Sequence, residues 1–473
     1  MQSKLYTVDQ IDDLKMDQVW DLYRKYVNPG QVDLISTFGF GRDLVKNAEG
    51  VWIETADGRR ILDFTGGIGV LNHGHNHPRL LKVRKDFQDR KKMEVHKNYF
   101  SPNLAALSHN IAQLLPGDLE ISYFPNSGAE AVEGSVKMAY KYHNGNRKSI
   151  LHSKISFHGK LLGAASLTAS PELDYEFPRI PNCISFEWNS LESIESLIET
   201  TLKEDGSSDL YAIIVEPMSG SSLRICSEIF LRGVRNQCDK HDIILIFDEV
   251  YTGWAKTGYL FNFMRVDNLI PDILVSSKSF GGGKSTIAAY IARRKVFMKA
   301  YGNMNDATLH STTYNGFGEE TVTALEAVNI IVEENFVDRA QEIGKILKEK
   351  LTKLQSDYPS IISDVRGEGA LWGILIEPPL KGLKSLTEIL PSKFFKDKRF
   401  IDKLVTAAVI EELYSEHNIL TFYGSNEEIP LIISPSIVVK DEEINTFIES
   451  LDAVFKKGLI PLVLKLAKKK FFR

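Results

Sequence analysis

The chain has 473 residues, 43% hydrophobic and 25% charged, with a formal net charge of -5. That length and composition predict a soluble globular protein of two or three domains, and the mild charge gives no reason to expect nucleic acid as a partner. Three cysteines (Cys183, Cys226, Cys238) show no metal-ligand spacing and make a poor disulfide framework, so a reducing cytoplasm is the expected setting.

Met1-Gln2-Ser3-Lys4-Leu5 has no apolar signal-peptide core, and no apolar run in the chain approaches a membrane span. Residues 9–27 carry helical spacing and break at Asn28-Pro29-Gly30. Val51-Trp52-Ile53-Glu54, the Asp57-Gly58 turn and Arg60-Ile61-Leu62-Asp63-Phe64 read as a hairpin. The alternating His73, His75 and His77 are followed by no further ligand cluster, so no metal is expected there. Gly67 and Gly69 do not make a dinucleotide fingerprint, because Asn72 stands where the third glycine would fall.

From Arg79 to about residue 315, strands ending at Phe124, His152, Val215, Phe247 and Val275 alternate with helical patterns. This rhythm predicts an α/β fold with a mostly parallel sheet flanked by helices. Beyond residue 320, helices over Glu319–Glu334 and Arg339–Asp357, strands at Leu371–Ile376 and Pro430–Pro435, and a helix from Asp441 predict a smaller α+β domain. The tail from Leu462 to Lys470 reads as a basic, frayed helix end. The expected division is 1–65 as an N-terminal segment of the small domain, 66–318 as the large domain and 319–473 as the C-terminal small domain.

Several strand ends carry chemistry. Ile243-Ile244-Leu245-Ile246-Phe247 ends in Asp248-Glu249, and Ile273-Leu274-Val275 leads through Ser276-Ser277 to Lys278. Unbroken β-branched runs suit strands buried on both faces, whose C-terminal ends are where open α/β sheets bind ligands. Asn126-Ser127-Gly128-Ala129 opens a helix and forms a candidate anion cup, or an ordinary serine cap. Phe157 could stack on a planar ligand, and Glu216 is another carboxylate at a strand end. Gly281-Gly282-Gly283-Lys284-Ser285 is not a nucleotide phosphate loop, since Lys278 stands where that motif needs glycine. A lysine there suits a Schiff base with an aldehyde once burial lowers its pKa.

An anion cup, a stacking aromatic, a ring-nitrogen carboxylate and a Schiff-base lysine are together what pyridoxal phosphate requires. From about Asn28 to residue 450 the chain resembles the class III, fold type I aminotransferases that act on ornithine, acetylornithine, 4-aminobutyrate and putrescine. The resemblance lies in Phe124–Glu130, Phe157-His158-Gly159-Lys160, Val215-Glu216-Pro217, Phe247–Gly253, Ser277–Gly283 and His310–Tyr314, and looks closest to the putrescine enzymes. It implies that Lys278 holds pyridoxal 5′-phosphate and shuttles a proton, and that Asp248 pairs with the ring nitrogen. It also implies that Ser127, Gly128 and Ala129 bind the phosphate, and that Phe157 and Val250 enclose the ring. Glu216 would sit beside them, His158 would line the cofactor, and Thr313 would reach the phosphate from the other subunit of a homodimer.

The departures concern substrate. Glutamate-using relatives carry a glutamate where Ser221 follows Ser219-Gly220, and an arginine where this chain has Leu431 or Ile432. Both halves of that gating pair are absent, which removes the expected clamp for an α-carboxylate. Either Arg224 or Arg42 takes over, or the substrates lack the carboxylate. Lys256 replaces a usual arginine, and Asn315-Gly316-Phe317-Gly318 a usual Gly-Gly-Asn-Pro. The resemblance implies transfer of a terminal amino group from an amine or ω-amino compound, diamine-like, to a keto acid. An aminomutase of the glutamate-1-semialdehyde type, a carrier-bound substrate and a non-catalytic homologue are the alternatives.

Overall fold

The computed structural model describes residues 5–37, 40–169, 178–379, 399–424 and 426–471, so most of the Met1–Leu5 reading lies outside it. The expected 9–27 helix is divided into Val8–Ile11 and Met16–Leu22, followed by a wider turn over Tyr23–Val27. The restart comes where the Gln18 side chain accepts from the Lys15 N–H at 2.9 Å. Pro29 does not end structure but opens a new helix, Pro29–Thr37, as its missing N–H and fixed φ allow at a first helical position. The hairpin is present: strand β1 (Val45–Glu49) pairs with β2 (Trp52–Thr55), and β2 with β3 (Arg60–Asp63), all antiparallel.

The central sheet has seven strands: β4 (Leu119–Tyr123), β5 (Ser149–Ser153), β6 (Cys183–Phe186), β7 (Leu210–Val215), β8 (Ile244–Asp248), β9 (Ile273–Ser276) and β10 (Ala289–Arg293). Their order is β4-β10-β9-β8-β7-β5-β6, and every residue of β7, β8 and β9 is buried. From β6 to β9 the pairings are parallel. β10 runs antiparallel to both β4 and β9, so the sheet is mixed at one side. Two of these strands, β6 and β10, were not anticipated. Neither Cys-Ile-Ser-Phe nor Ala-Tyr-Ile-Ala-Arg carries the run of branched residues that marks β8 and β9 on sequence. Parallel neighbours need crossover connections, such as helix Glu228–His241 between β7 and β8, which turn the strand ends the same way.

The C-terminal part holds β11 (Ile362–Glu368), β12 (Leu371–Ile376), β13 (Ile419–Leu420), β14 (Phe422–Tyr423) and β15 (Leu431–Ile433). Four of them form an antiparallel sheet in the order β11-β12-β15-β14. β13 instead pairs in parallel with β3, joining the N-terminal hairpin to the C-terminal region. Helices Gly318–Glu333, Phe336–Asp357 and Asp441–Lys456 lie where helical spacing predicts them. Helix Phe400–His417 was not anticipated. Val405 to Tyr414 are all buried, so no polar face marks a period. The tail corrects the frayed-end expectation. Helix Leu459–Phe471 buries Leu462, Val463, Leu466 and Ala467 at three- and four-residue spacing, and Lys465 Nζ meets Glu412 and Glu416 at 2.7 Å each. Among the described residues no helix is long and apolar enough to cross a membrane.

Candidate active site

Adjacent parallel strands end side by side, and so do the residues that follow them. Asp248 ends β8, Glu216 follows β7, Lys278 follows β9, and Phe157-His158 follow β5. A cavity of about 400 Å³ brings Asp248, Glu216, Lys278, Phe157 and His158 together with Gly128, Ala129 and Val250.

The acids are held by short, directed bonds. Asp248 Oδ2 meets His158 Nδ1 at 2.8 Å, and Oδ1 accepts from the Val250 N–H at 3.0 Å. Glu216 accepts from the Phe157 and Gly220 N–H groups, both at 2.9 Å. Burial pushes the Glu216 carboxyl up to about 7; His158 opposes this, and Asp248 adds to it. For His158 the penalty of burial is outweighed by the bond and charge of Asp248, so its pKa is raised. The Asp248–His158 bond favours the charged form of the buried imidazole at the floor of the cavity.

Lys278 has φ 49°, in the left-handed region where a side chain other than glycine's is strained. Its Nζ lies 4.4 Å from the centre of the Tyr251 ring. Burial lowers its pKa, and Asp248 and Glu216 resist that shift. The result is an amine easier to deprotonate than an exposed lysine, with carboxylates near enough to favour its cation. Gly282, at φ 61°, accounts for the glycine run that follows: it closes the turn after Lys278 in a conformation that suits glycine.

The anion cup forms at the start of helix Gly128–Tyr142. Ser127 is its cap: Oγ accepts from the Glu130 N–H at 3.3 Å and donates to Glu130 Oε2 at 2.9 Å. Gly128 and Ala129, not the exposed Ser127, line the cavity, and their first-turn N–H groups have no acceptor within the helix. A Cβ at Gly128 would stand 3.0 and 3.2 Å from the Val250 methyls, so only glycine leaves the backbone bare here. Pyridoxal 5′-phosphate fits this set. The bare helix end suits a phosphate, the buried carboxylate a protonated ring nitrogen, and the lysine an aldehyde. The buried His158 Nε2, which has no protein partner, is a polar atom left over for the same cavity. Thr313 is exposed and lies outside the cavity lining of its own chain.

The far wall of the cavity is apolar. Ile432 lines it, whereas Leu431 on the same strand is packed in the main core. Ser221 also lines it, its Oγ accepting from Asn426 Nδ2 at 3.1 Å. Neither substitute arginine is available to clamp a carboxylate. Arg224 makes a two-pronged pair with Glu428, Nε at 3.1 Å and Nη2 at 3.0 Å, and Arg366 binds the same glutamate. Arg42 bonds to Ser415 at 3.2 Å and sits over Tyr414, away from the cavity.

Other singled-out residues are structural. Glu249 accepts from Thr252, Asn262 and Phe263 and closes the loop after β8. Lys256, fully buried, donates to the Pro435 carbonyl at 2.7 Å and the Ser434 carbonyl at 3.3 Å; burial lowers its pKa to about 7, opposed by Asp63. His73 bonds to the Ala327 carbonyl at 2.9 Å and His75 to Asp63 at 3.0 Å. No group of three metal-binding side chains occurs among the described residues. Sequence reasoning assigned no role to Tyr251, Met218, Phe422 and Gly424, which also line the cavity. Tyr251 could have been found from its place beside Asp248; a two-residue strand such as Phe422-Tyr423 gives no signal. A larger cavity of about 760 Å³ lies along helix Gly128–Tyr142 near Ile180 and Lys148, away from these acids and Lys278.

The family described as aminotransferase class-III matches residues 42–455. Aminotransferase PigE of Serratia sp. is 28% identical over 481 residues, covering 96% of this chain and 55% of that protein. The chain therefore spans about half the length of this curated relative. An (S)-enantioselective omega-transaminase from Thermomicrobium roseum superposes with TM-score 0.74 at 23% identity, over 88% of this chain and 92% of that one. An ornithine aminotransferase from Toxoplasma gondii, described with partial occupancy of the cofactor at its active site, superposes with TM-score 0.77 at 19% identity, over 96% and 99% of the two chains.

Proposed function

Given that the chain belongs to the class-III aminotransferase family, whose cofactor is pyridoxal 5′-phosphate, we propose that it moves a terminal amino group from an amine to a keto acid. The observation that carries this reading is the convergence of Lys278, Asp248, Glu216 and the bare Gly128 helix end on one cavity. When bound, pyridoxal phosphate supplies an aldehyde to take up the amino group and a ring to accept the electron pair left on the amine carbon.

Lys278 is the residue we assign to holding that aldehyde, and its amine then carries the proton to and from the amine carbon. Its lowered pKa leaves more of it as the free amine that can accept a proton. Asp248, steadied by His158 and the Val250 N–H, holds the ring nitrogen protonated. Gly128 and Ala129 would take the phosphate at the helix end, and Val250 and Phe157 would enclose the ring. Glu216 fixes the Phe157 backbone through a 2.9 Å bond.

The same reading makes the protein a homodimer in which Thr313 completes the partner's phosphate site. Support comes from exposed apolar surface around it: Tyr99, Phe100, Leu309 and Tyr314 are all exposed, and Lys97 bonds to the Thr312 carbonyl. We also place the domain divisions near residues 66 and 318, since β3 pairs with β13 rather than with the central sheet. A cytoplasmic location suits the three free cysteines.

The test is to mix cofactor-loaded protein with a panel of amines and follow the visible absorbance of the bound cofactor. The band is expected to bleach with an amine and return on adding a keto acid. No change with any amine would refute the proposal. Lys278→Ala is expected to abolish turnover, with a loss of at least about 100-fold from proton transfer alone.

A further inference from the structure

We propose that the amine substrate has an apolar, uncharged body, an aliphatic or alicyclic skeleton, and that Ile432, Phe422 and Met218 form the subsite that holds it. This rests on the transaminase reading above and narrows it to a substrate class.

The argument begins from the composition of the cavity walls. Its ionisable lining groups lie on the reaction side and at the mouth: Asp248, Glu216, His158 and Lys278 inside, and the exposed Lys160. The remaining wall is built from Met218, Phe422, Ile432 and Tyr251, with Ser221, Gly220 and Gly424; it meets the reaction side where the Gly220 N–H donates to Glu216 at 2.9 Å and Lys278 Nζ lies over the Tyr251 ring. Met218 and Ile432 pack with Leu223 and Leu371 in a small apolar cluster of their own, against which Ile225, Tyr251 and Phe422 rest. Met218, Leu223 and Leu371 are 0% exposed and Ile432 1%, so this wall has a dry backing.

No charged side chain among the described residues lines that wall. Arg224 and Arg366 share Glu428, and Arg399 donates to the Asn426 carbonyl. Ser221 is held by Asn426, a neutral contact that also ties the wall to the Ser156 carbonyl at 3.4 Å. Gly424 cannot carry a side chain, because its Cβ would stand 2.1 Å from the Ser221 carbonyl oxygen. The wall is therefore fixed in shape as well as uncharged. A substrate carboxylate or a second ammonium pressed against it loses water and gains no charged partner, whereas each methylene laid there leaves water at no electrostatic penalty.

The balanced reaction is a two-electron exchange. The amine carbon loses its nitrogen and two electrons and becomes an aldehyde or ketone, taking its oxygen from water. The keto acid carbon gains the nitrogen and the two electrons, and its oxygen leaves as water.

The experiment compares kcat/KM of cofactor-loaded protein, with pyruvate as acceptor, for n-alkylamines from propylamine to octylamine against 4-aminobutyrate, 6-aminohexanoate and putrescine. The expected result is a rise of about fourfold per methylene until the wall is filled, and at least about a hundredfold lower value when the far end carries a charge. Ile432→Arg is expected to shift the preference towards the ω-amino acids, and Phe422→Ala to flatten the rise per methylene. Binding is read separately by calorimetry, with hexan-1-ol expected to bind and hexanoate not.

Flat or falling values along the alkylamines, with better turnover of the charged compounds, overturn the subsite and leave the transaminase reading standing. If no amine of either class bleaches the visible band, the transaminase reading fails and the calorimetry decides the subsite. Hexan-1-ol binding that weakens in Phe422→Ala supports it, and absence of binding overturns it.

Discussion

Gly128→Ala adds one methyl group at the point where the helix end and Val250 come together. The new Cβ would lie 3.0 and 3.2 Å from the two Val250 methyls and 3.4 Å from the Ser277 Cβ, where ordinary contacts are 3.4–4 Å. In the cofactor-free protein Val250 can turn into the open cavity and relieve the crowding. A bound cofactor would fill that space, so the strain would fall on the bound state alone. Overpacking of this kind costs about 1–3 kcal/mol, which predicts cofactor binding weaker by about 5- to 150-fold. Gly128 does not have a positive φ, so alanine meets no backbone strain, and its helix preference leaves the cofactor-free fold as stable or slightly more so. The assay is absorbance titration of cofactor-free protein with pyridoxal 5′-phosphate, beside a thermal scan of the same sample. Adding Val250→Ala removes both methyls and is expected to recover much of the affinity, a coupling of about 1 kcal/mol or more. Unchanged affinity in Gly128→Ala, or a double variant as weak as the sum of the two single losses, would refute the reasoning.

Lys256 has a pKa lowered to about 7 by burial. Its unfolded state therefore holds more protons between that value and the ordinary lysine pKa of 10.5. The associated stability is present in full above the ordinary value and is lost as pH falls through about 7, with a slope of about 1.4 kcal/mol per pH unit between the two. Denaturant unfolding of wild type and Lys256→Met at pH 7.5 and 8.5 is expected to show that difference, and parallel curves would contradict it. Glu216 has its carboxyl raised to about 7, so an inflection near pH 7 in the wild-type rate profile is expected to vanish in Glu216→Gln. An inflection that survives belongs to another group. If the active sites are shared between subunits, mixing Lys278→Ala with Thr313→Arg after unfolding and refolding together restores activity that neither variant has alone, up to roughly a quarter of wild type. Light scattering of the same samples must then report a dimer.

The chemistry of the reaction side was legible in the chain because it follows from local patterns. Runs such as Ile244–Phe247 and Ile273–Val275 declare buried strands, and in a parallel sheet all such strands end on the same edge. Asp248, Glu216 and Lys278 could thus be assigned to one region from their positions at strand ends. The hairpin around Asp57-Gly58 and the helix Gly128–Tyr142 were equally local, one from its turn residues and the other from its small-residue start.

Features that depend on neighbours distant in sequence were decided only by the tertiary structure. β6 and β10 lack the run of branched residues that marks β8 and β9, and in helix Phe400–His417 Val405 to Tyr414 are all buried, so no period can be read there. The tail looked frayed because its lysines dominate the sequence, yet its apolar stripe packs against a helix that was itself unseen. The substrate wall is the plainest case. Ser221, Phe422 and Ile432 come from separate loops and strands, and Arg224 looked available until Glu428 was found holding it. A cofactor site built on strand ends can be read along the chain, because sheet topology aligns those ends. A substrate wall assembled across two sheets cannot, because which face of Leu431-Ile432 meets the cavity depends on strand register and on what packs behind it.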